Sequence, residues 1–120
     1  MVLADTSVWI SHFRKSNKLF FELLTEERVG IHPFVIGELA CGHMPRRREV
    51  LAFLCTLPEA PLATPSEFLH YIERHSLAGC GIGFVDAHLL ASAELMGAPI
   101  WTLDKPLLRV AQKLEIGYIA

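Results

Sequence analysis

Val2-Leu3-Ala4-Asp5-Thr6-Ser7, at the start of the chain, is a short apolar run that ends at a carboxylate. From Val8 onward, apolar residues recur at helical spacing as far as Leu24. This order predicts a strand that leads directly into a helix, with Asp5 at the carboxyl end of the strand.

The same alternation of apolar runs and helical segments continues along the chain. Proline and glycine mark several limits, such as Pro33 at the start of one helix and Gly97 at the end of another. The pattern predicts helices over 33–42, 46–57, 66–73, 84–96 and 106–115, and further strands over 29–32, 62–63, 99–103 and 117–119. Strands and helices in alternation indicate an α/β fold with a parallel sheet covered by helices on both faces.

The composition is typical of a folded domain. Of the 120 residues, 52% are hydrophobic and 20% are charged, which is far from the composition of disordered chains. We therefore expect one domain over residues 1–120. The apolar excess is more than a small monomer easily buries, so we expect a homodimer or another protein partner to cover part of it.

Charge and the first residues bear on location. The formal net charge is −2, so no overall positive field attracts nucleic acid or an anionic membrane, and any such contact has to be local. The first residues lack the basic start of a signal peptide, and no apolar run approaches the roughly 18 residues of a membrane-spanning helix. We expect a cytoplasmic protein with no membrane contact.

Cysteine and histidine show no pattern typical of a metal site. The three cysteines are widely spaced and odd in number, which fits neither a disulfide framework nor a zinc site. We expect them to be reduced and buried in the core. The six histidines lack ligand spacing and are expected at the surface or its boundary. We also expect these aromatic side chains in the core rather than stacked on a base: Trp9, Phe84 and Trp101.

Four carboxylates are predicted to converge. Two of the three aspartates, Asp5 and Asp104, end predicted strands, which places both at the same edge of a parallel sheet. Asp86 lies near the start of a helix, on the face that is expected to pack inward. Glu38 likewise lies beside the apolar stripe of its helix, at the edge of the expected core.

Converging carboxylates need compensation. Two of them about 4 Å apart repel by roughly 4 kcal/mol at an effective dielectric of 20, so the cluster requires basic partners, protons or a metal. A hard divalent cation such as Mg²⁺ or Mn²⁺ suits a site made only of oxygen ligands. In the alternative interpretation, Asp5 and Asp104 are turn or cap residues and Asp86 favours a helix N-terminus. Glu38 then pairs with an arginine.

The order and spacing of these acids resemble the acidic motifs of the PIN domain family. The acids are separated by 33, 48 and 18 positions. The motifs that carry the resemblance are Val2-Leu3-Ala4-Asp5-Thr6-Ser7, Glu38-Leu39-Ala40-Cys41-Gly42, Asp86-Ala87 and Trp101-Thr102-Leu103-Asp104. The resemblance covers essentially the whole chain and is strongest to the compact VapC-type toxins of VapBC toxin–antitoxin systems.

The resemblance implies a three-layer α/β/α sandwich and a ribonuclease that depends on Mg²⁺ or Mn²⁺. Asp5, Glu38, Asp86 and Asp104 are implied as the catalytic, metal-binding pocket. Ser7 and Thr102 are implied as supporting hydroxyls beside it; taken alone, they read equally well as a helix cap and a strand residue. The partners implied are an RNA substrate and a cognate VapB-like antitoxin.

RNA needs local cations to approach an acidic pocket. The densest basic run is Arg46-Arg47-Arg48, which we predict as a possible RNA contact, although such runs are more often solvated helix faces. Two other classes of function compete. A phosphoacceptor receiver domain has a similar length and an acidic pocket, but it predicts paired acids after the first strand, where Asp5 stands alone. A pure interaction module explains the apolar excess but not the converging acids.

Overall fold

The central element of the fold is a strand at the start of the chain, in a computed structural model that describes residues 1–120. Strand β1 (Val2–Ala4) pairs in parallel with β2 (Val29–Gly30) on one side and with β3 (Ile100–Trp101) on the other. The sheet order is β2-β1-β3. All three residues of β1 are buried, so helices must cover both faces of the sheet. The predicted three-layer α/β/α fold is confirmed.

Seven helices surround the sheet. They are α1 (Thr6–Arg14), α2 (Lys18–Thr25), α3 (Pro33–Cys41), α4 (Arg47–Leu54), α5 (Pro65–Arg74), α6 (Phe84–Met96) and α7 (Lys105–Lys113). The longest, α6, has 13 residues. None has the length and apolar content that crossing a membrane requires.

The strand order determines where a site can form. The connection from β1 to β2 runs to one side of the sheet, and the connection from β2 to β3 returns past β1 to the other side. Parallel crossovers are right-handed, so these two connections lie on opposite faces. The order in which strands are added to the sheet therefore reverses beside β1. In open α/β sheets, ligands bind at such a reversal of strand order, beyond the carboxyl ends of the strands. Asp5 and Asp104 follow β1 and β3 at this edge.

The core is one cluster of 26 buried hydrophobic residues drawn from the sheet and from all seven helices and their connections. Aromatic side chains join its parts. The ring of Phe20 on α2 lies 4.8 Å from that of Trp9 on α1 and 5.5 Å from that of Trp101 on β3, edge to face in both cases. These contacts fix the first two helices against the strand that precedes Asp104.

Two helix predictions have instructive outcomes. The range 84–96 is exact, because Gly97 adopts φ +65° at the end of α6 and only glycine does this without strain. The helical segment after Val8 is divided into α1 and α2. Asn17 causes the division, since its side chain accepts a hydrogen bond from the backbone N–H of Phe20 at 2.9 Å and caps a new helix.

Several other boundaries were wrong. Helix α5 is capped by Thr64 in a reciprocal capping box with Glu67, and not by Ser66. Helix α4 ends at Leu54 rather than near residue 57. The predicted strands over 62–63 and 117–119 do not form, and single bridges from Ile31 to Glu59 and from Ile100 to Gly117 replace them.

Three predictions of burial also fail. The cysteines are free, but all are exposed, because they lie at helix ends or in a loop: Cys41, Cys55 and Cys80. Phe84 is 62% exposed at the start of α6, although Trp9 and Trp101 are buried as expected.

Two histidines, His32 and His88, are buried instead of lying at the surface. The His32 ring caps α3, since its Nδ1 accepts from the backbone N–H of Phe34 at 2.9 Å, and its Nε2 lies 3.0 Å from the hydroxyl of Ser92. His88 stacks on Phe68 with ring centroids 4.0 Å apart.

Candidate active site

Asp5 is the most buried of the four acids, with 4% of its surface exposed. It is the N-cap of α1, and its Oδ1 accepts from the backbone N–H of Val8 at 3.2 Å and from the hydroxyl of Ser7 at 2.5 Å. Its Oδ2 accepts from the hydroxyl of Thr102, a buried side chain just after β3. Both carboxylate oxygens therefore have fixed directions, which fixes the side chain at the end of β1.

Ser7 and Thr102 also hold the chain that leads to Asp104. The Ser7 hydroxyl oxygen accepts from the backbone N–H of Leu103 at 2.9 Å, and the Thr102 hydroxyl oxygen accepts from the backbone N–H of Asp104 at 3.0 Å. The structure thus brings both of the predicted supporting hydroxyls to Asp5 and links them to the β3–α7 turn. Ser7 is not the helix cap that its position also suggested, because Asp5 takes that role.

Asp104 is an exposed N-cap. Its Oδ2 accepts from the backbone N–H of Leu107 at 3.1 Å at the start of α7. Asp5 and Asp104 are therefore caps, as the alternative interpretation held. A capping carboxylate still keeps lone pairs for another ligand, because each oxygen can accept more than one bond.

Asp86 is the acid whose pKa is affected by the charges of the other three. It lies half-buried in the first turn of α6. Burial raises its pKa to about 6, and the charges of Asp104, Asp5 and Glu38 contribute in the same direction. Burial also raises the pKa of Asp5, although the hydrogen bonds from Ser7, Thr102 and the backbone oppose the shift. The Asp86 carboxylate is therefore close enough to the other three to be repelled by their charges.

Glu38 differs from its prediction. It is exposed, because α3 buries Val35 and Leu39 and carries Glu38 to the side of that stripe. It has no arginine partner. Its Oε1 instead accepts from the hydroxyl of Thr6 at 2.6 Å. The sequence analysis assigned Thr6 no role. Its position directly after Asp5, at the start of α1, was the feature that could have indicated one.

A divalent cation can be tested against this donor set. No group of three or more His, Cys, Asp or Glu side chains is arranged so that it could hold a metal ion. The chemistry of the donors nevertheless fits, because Mg²⁺ binds through one or two carboxylates, keeps several waters and needs no closed cage. The repulsion that adds to the effect of burial on the pKa of Asp86 is also what a cation would relieve.

The basic run near the site has mixed roles. Arg46 forms an ion pair with Glu49, with its Nη2 2.5 Å from Oε2. Arg47 donates to the carbonyl oxygens of Ala40 and Gly42, the latter at 3.2 Å, and so satisfies the C-terminal end of α3. Arg48 is exposed and has no ion-pair partner.

The sequence motifs led us to expect a buried carboxylate that is fixed by two hydroxyls and lies close to three others. They also led us to expect it where the strand order of a parallel sheet reverses. A family model described as the PIN domain matches residues 2–113, a range that includes all four acids. The chain belongs to the PIN domain family. This membership decides against the receiver-domain alternative.

Within that family the chain is of the VapC type. It is 46% identical over 108 residues to a protein named Ribonuclease VapC32 in two strains of Mycobacterium tuberculosis, and the match covers 89% of this chain and 87% of that one. The crystal structure of PAE2754 from Pyrobaculum aerophilum is similar with a TM-score of 0.65 at 17% identity, covering 94% of this chain and 90% of that chain. At that identity the likeness bears on the fold alone.

Proposed function

We propose that the protein is a divalent-metal-dependent endoribonuclease and the toxin of a type II toxin–antitoxin system, acting as one PIN-like domain. The observation that carries the proposal is the Asp5 carboxylate, which is buried at the end of β1 and fixed by the hydroxyls of Ser7 and Thr102. The charges of Asp5, Asp104 and Glu38 all act on Asp86. The identity to a protein named as a ribonuclease supports RNA as the substrate.

The residues that hold Mg²⁺ or Mn²⁺ in this proposal are Asp5, Glu38, Asp86 and Asp104. When bound, such a cation lowers the pKa of water and neutralises charge on the scissile phosphate. Ser7 and Thr102 keep the Asp5 carboxylate in one orientation, and a carboxylate of the cluster orients the attacking water in line with the leaving oxygen. Water supplies the new oxygen on phosphorus while the bond from phosphorus to the 3′ oxygen breaks, and the leaving 3′ oxygen takes up a proton. The products therefore carry a 5′ phosphate and a 3′ hydroxyl.

Partners follow from the same proposal. RNA reaches the site with help from the arginine run, chiefly Arg48, since Arg46 and Arg47 already have partners within the chain. A cognate VapB-like antitoxin restrains the activity. A homodimer is supported by exposed apolar side chains on and beside α5 and α6: Leu62, Leu69 and Phe84. Three unpaired cysteines fit a reducing, cytoplasmic setting.

The direct test is cleavage of labelled RNA by the purified chain with chelator, with Mg²⁺ and with Mn²⁺. We expect cleavage only with a cation, new ends that accept a 3′ ligation adaptor without phosphatase, and no cleavage by Asp86→Asn. The matched control, Glu73→Gln, removes an exposed carboxylate on α5 and should cleave normally. Equal cleavage in chelator would exclude the metal. Absence of cleavage under all conditions would favour the interaction module.

A further inference from the structure

A cleft beside the acidic cluster is unused by the proposed chemistry. It lies between α1 and the loop that joins α3 to α4, and it has a volume of about 310 Å³. Glu38, one of the four acids, forms part of its wall. The cleft therefore borders the candidate site at Glu38.

Two cationic or hydrogen-bonding groups face this cleft. Arg14, the last residue of α1, and His43, in the α3–α4 loop, both contribute to its lining and both are exposed. Neither lies within 4 Å of a carboxylate. An arginine without a protein partner is free to bind a phosphate in two-pronged fashion, and an imidazole has an N–H to donate in either protonation state.

The α1 side of the cleft also carries partly exposed apolar side chains. Ile10 and Phe13 on α1 show 39% and 38% of their surface, and both line the cleft. The Phe13 ring is supported from behind by Trp9, with ring centroids 6.0 Å apart. An exposed aromatic ring beside a basic side chain is the combination on which bases of single-stranded nucleic acid stack.

Hydrogen bonds from Arg47 hold the start of the α3–α4 loop in place. Arg47 donates to the carbonyl oxygens of Ala40 and Gly42, at the end of α3 and just before His43. These bonds fix the start of the loop, so His43 faces the cleft from a tethered segment. Arg47, from the basic run, thus stabilises the wall of the cleft and is not itself one of the residues that line it.

We propose that this cleft binds the nucleotide adjacent to the scissile bond of a single-stranded RNA. Arg14 and His43 bind its phosphate, and Phe13 contacts its base. The volume, at the lower end of small-molecule pockets, suits one nucleotide. The charge of Arg14 also offsets the repulsion between Glu38 and an incoming phosphate. This assignment rests on the proposed ribonuclease function and deepens it.

The test measures RNA affinity apart from cleavage. A fluorescent single-stranded RNA is titrated with Asp86→Asn, with Asp86→Asn plus Arg14→Gln, and with Asp86→Asn plus Arg28→Gln, at several salt concentrations in Mg²⁺. Arg28 is the control because it precedes β2, at the opposite edge of the sheet from the acids. Losing one charge-assisted phosphate contact should weaken binding roughly tenfold and reduce the salt slope by about 0.7. The Arg28 variant should change neither quantity.

Kinetics of the otherwise unaltered enzyme separate the two proposals. If wild type cleaves RNA, Arg14→Gln should raise KM roughly tenfold with kcat little changed, and Phe13→Ala should raise KM without changing the salt slope. If Arg14→Gln has the same RNA affinity, salt slope and KM as wild type, the cleft assignment is overturned and the ribonuclease proposal stands. The same conclusion holds if Arg14 proves to bind a protein partner instead. Failure of wild type to cleave or bind RNA would overturn both. A thermal melt within about 2 °C of wild type establishes that each variant is folded.

Discussion

The hydroxyl of Thr102 donates to the carboxylate of Asp5 across 97 positions of sequence. The bond joins the end of β3 to the end of β1, so the geometry of Asp5 depends on correct pairing of the first and last strands. Because the same hydroxyl oxygen accepts from the backbone N–H of Asp104, one side chain orients two of the four acids.

Replacing Thr102 tests this link. Thr102→Val keeps the shape but leaves the Asp104 N–H without its acceptor and Asp5 Oδ2 without its donor, so it should cost about 1–3 kcal/mol of unfolding free energy. Thr102→Ser should restore most of it. Urea melts measure the effect, with Thr25→Val as control, since the Thr25 hydroxyl is exposed and bonds only to its own helix. Equal losses in both valine variants would contradict the link.

Asp86→Asn separates charge from structure. The substitution removes the repulsion that Asp86 receives from the other acids and changes almost no volume, so the metal-free variant should melt at or above the wild-type temperature. Its RNA cleavage should be lost, because the substitution removes a carboxylate that is proposed to hold the metal. Calorimetry in chelator and a cleavage assay in Mn²⁺ measure the two effects. A markedly lower melting temperature would mean that the carboxylate has a structural role.

Glu38→Gln distinguishes a metal ligand from a structural residue. Its exposed carboxylate has a hydroxyl partner and no cation, so removing its charge should change stability in chelator by less than about 0.5 kcal/mol. Part of the stabilisation that Mn²⁺ gives to wild type should be lost. Thermal melts with chelator and with excess Mn²⁺ provide the comparison. Full Mn²⁺ stabilisation of the variant would remove Glu38 from the ligand set.

Acid should affect stability through opposing groups. Burial and the neighbouring His88 lower the pKa of His32 to about 4 from 6.5. Between these values the unfolded chain binds a proton that the folded chain refuses, so stability falls as the pH drops through this window. The folded pKa of Asp86, about 6, exceeds its ordinary 3.8. The folded chain therefore binds that proton first, and this contribution to stability rises as the pH drops from 6 to 4.

The contribution of Asp86 to the pH dependence of stability can be isolated by comparing wild type with Asp86→Asn. Without the compensating acid, its urea midpoint should fall further between pH 7 and pH 4.5 than the wild-type midpoint does. His12 and His88, whose pKa values burial also lowers, add to the loss in both proteins and cancel in the difference. Parallel pH profiles for the two proteins would refute the assignment to Asp86.

Neighbouring arginines should respond differently to replacement. Arg47→Ala removes the bonds to the end of α3 and should cost about 1 kcal/mol. Arg48→Ala, which breaks no ion pair, should leave the melting temperature unchanged while weakening RNA binding and reducing its salt slope. The two variants form a matched pair for melting and RNA titration. A destabilised Arg48 variant, or one with unchanged RNA affinity, would count against its proposed contact.

Local signals in the sequence were sufficient for the three strands that form and for α6, and they place Asp5 and Asp104 after β1 and β3, because strand ends and glycine stops act over a few residues. They also predicted strands over 62–63 and 117–119 that do not form. They were insufficient where a side chain takes an unexpected partner. His32 is buried because it caps α3 and reaches Ser92, 60 positions away, and no local pattern encodes that distance. Glu38 was expected at the core edge, and its partner is Thr6. The periodicity of α3 does not reveal a contact with another helix.

The loop that contains Gly79 and Gly81, both at positive φ, divides the motifs equally. Asp5 and Glu38 precede it, and Asp86 and Asp104 follow it. A single proteolytic cut there gives two fragments with two of the four site acids each, and the first fragment lacks β3, the second neighbour of β1. A chain still being synthesised is in the same condition until Asp104 has been added and β3 has paired. Under the proposed function, an unfinished chain therefore lacks the complete set of acids that would hold the metal.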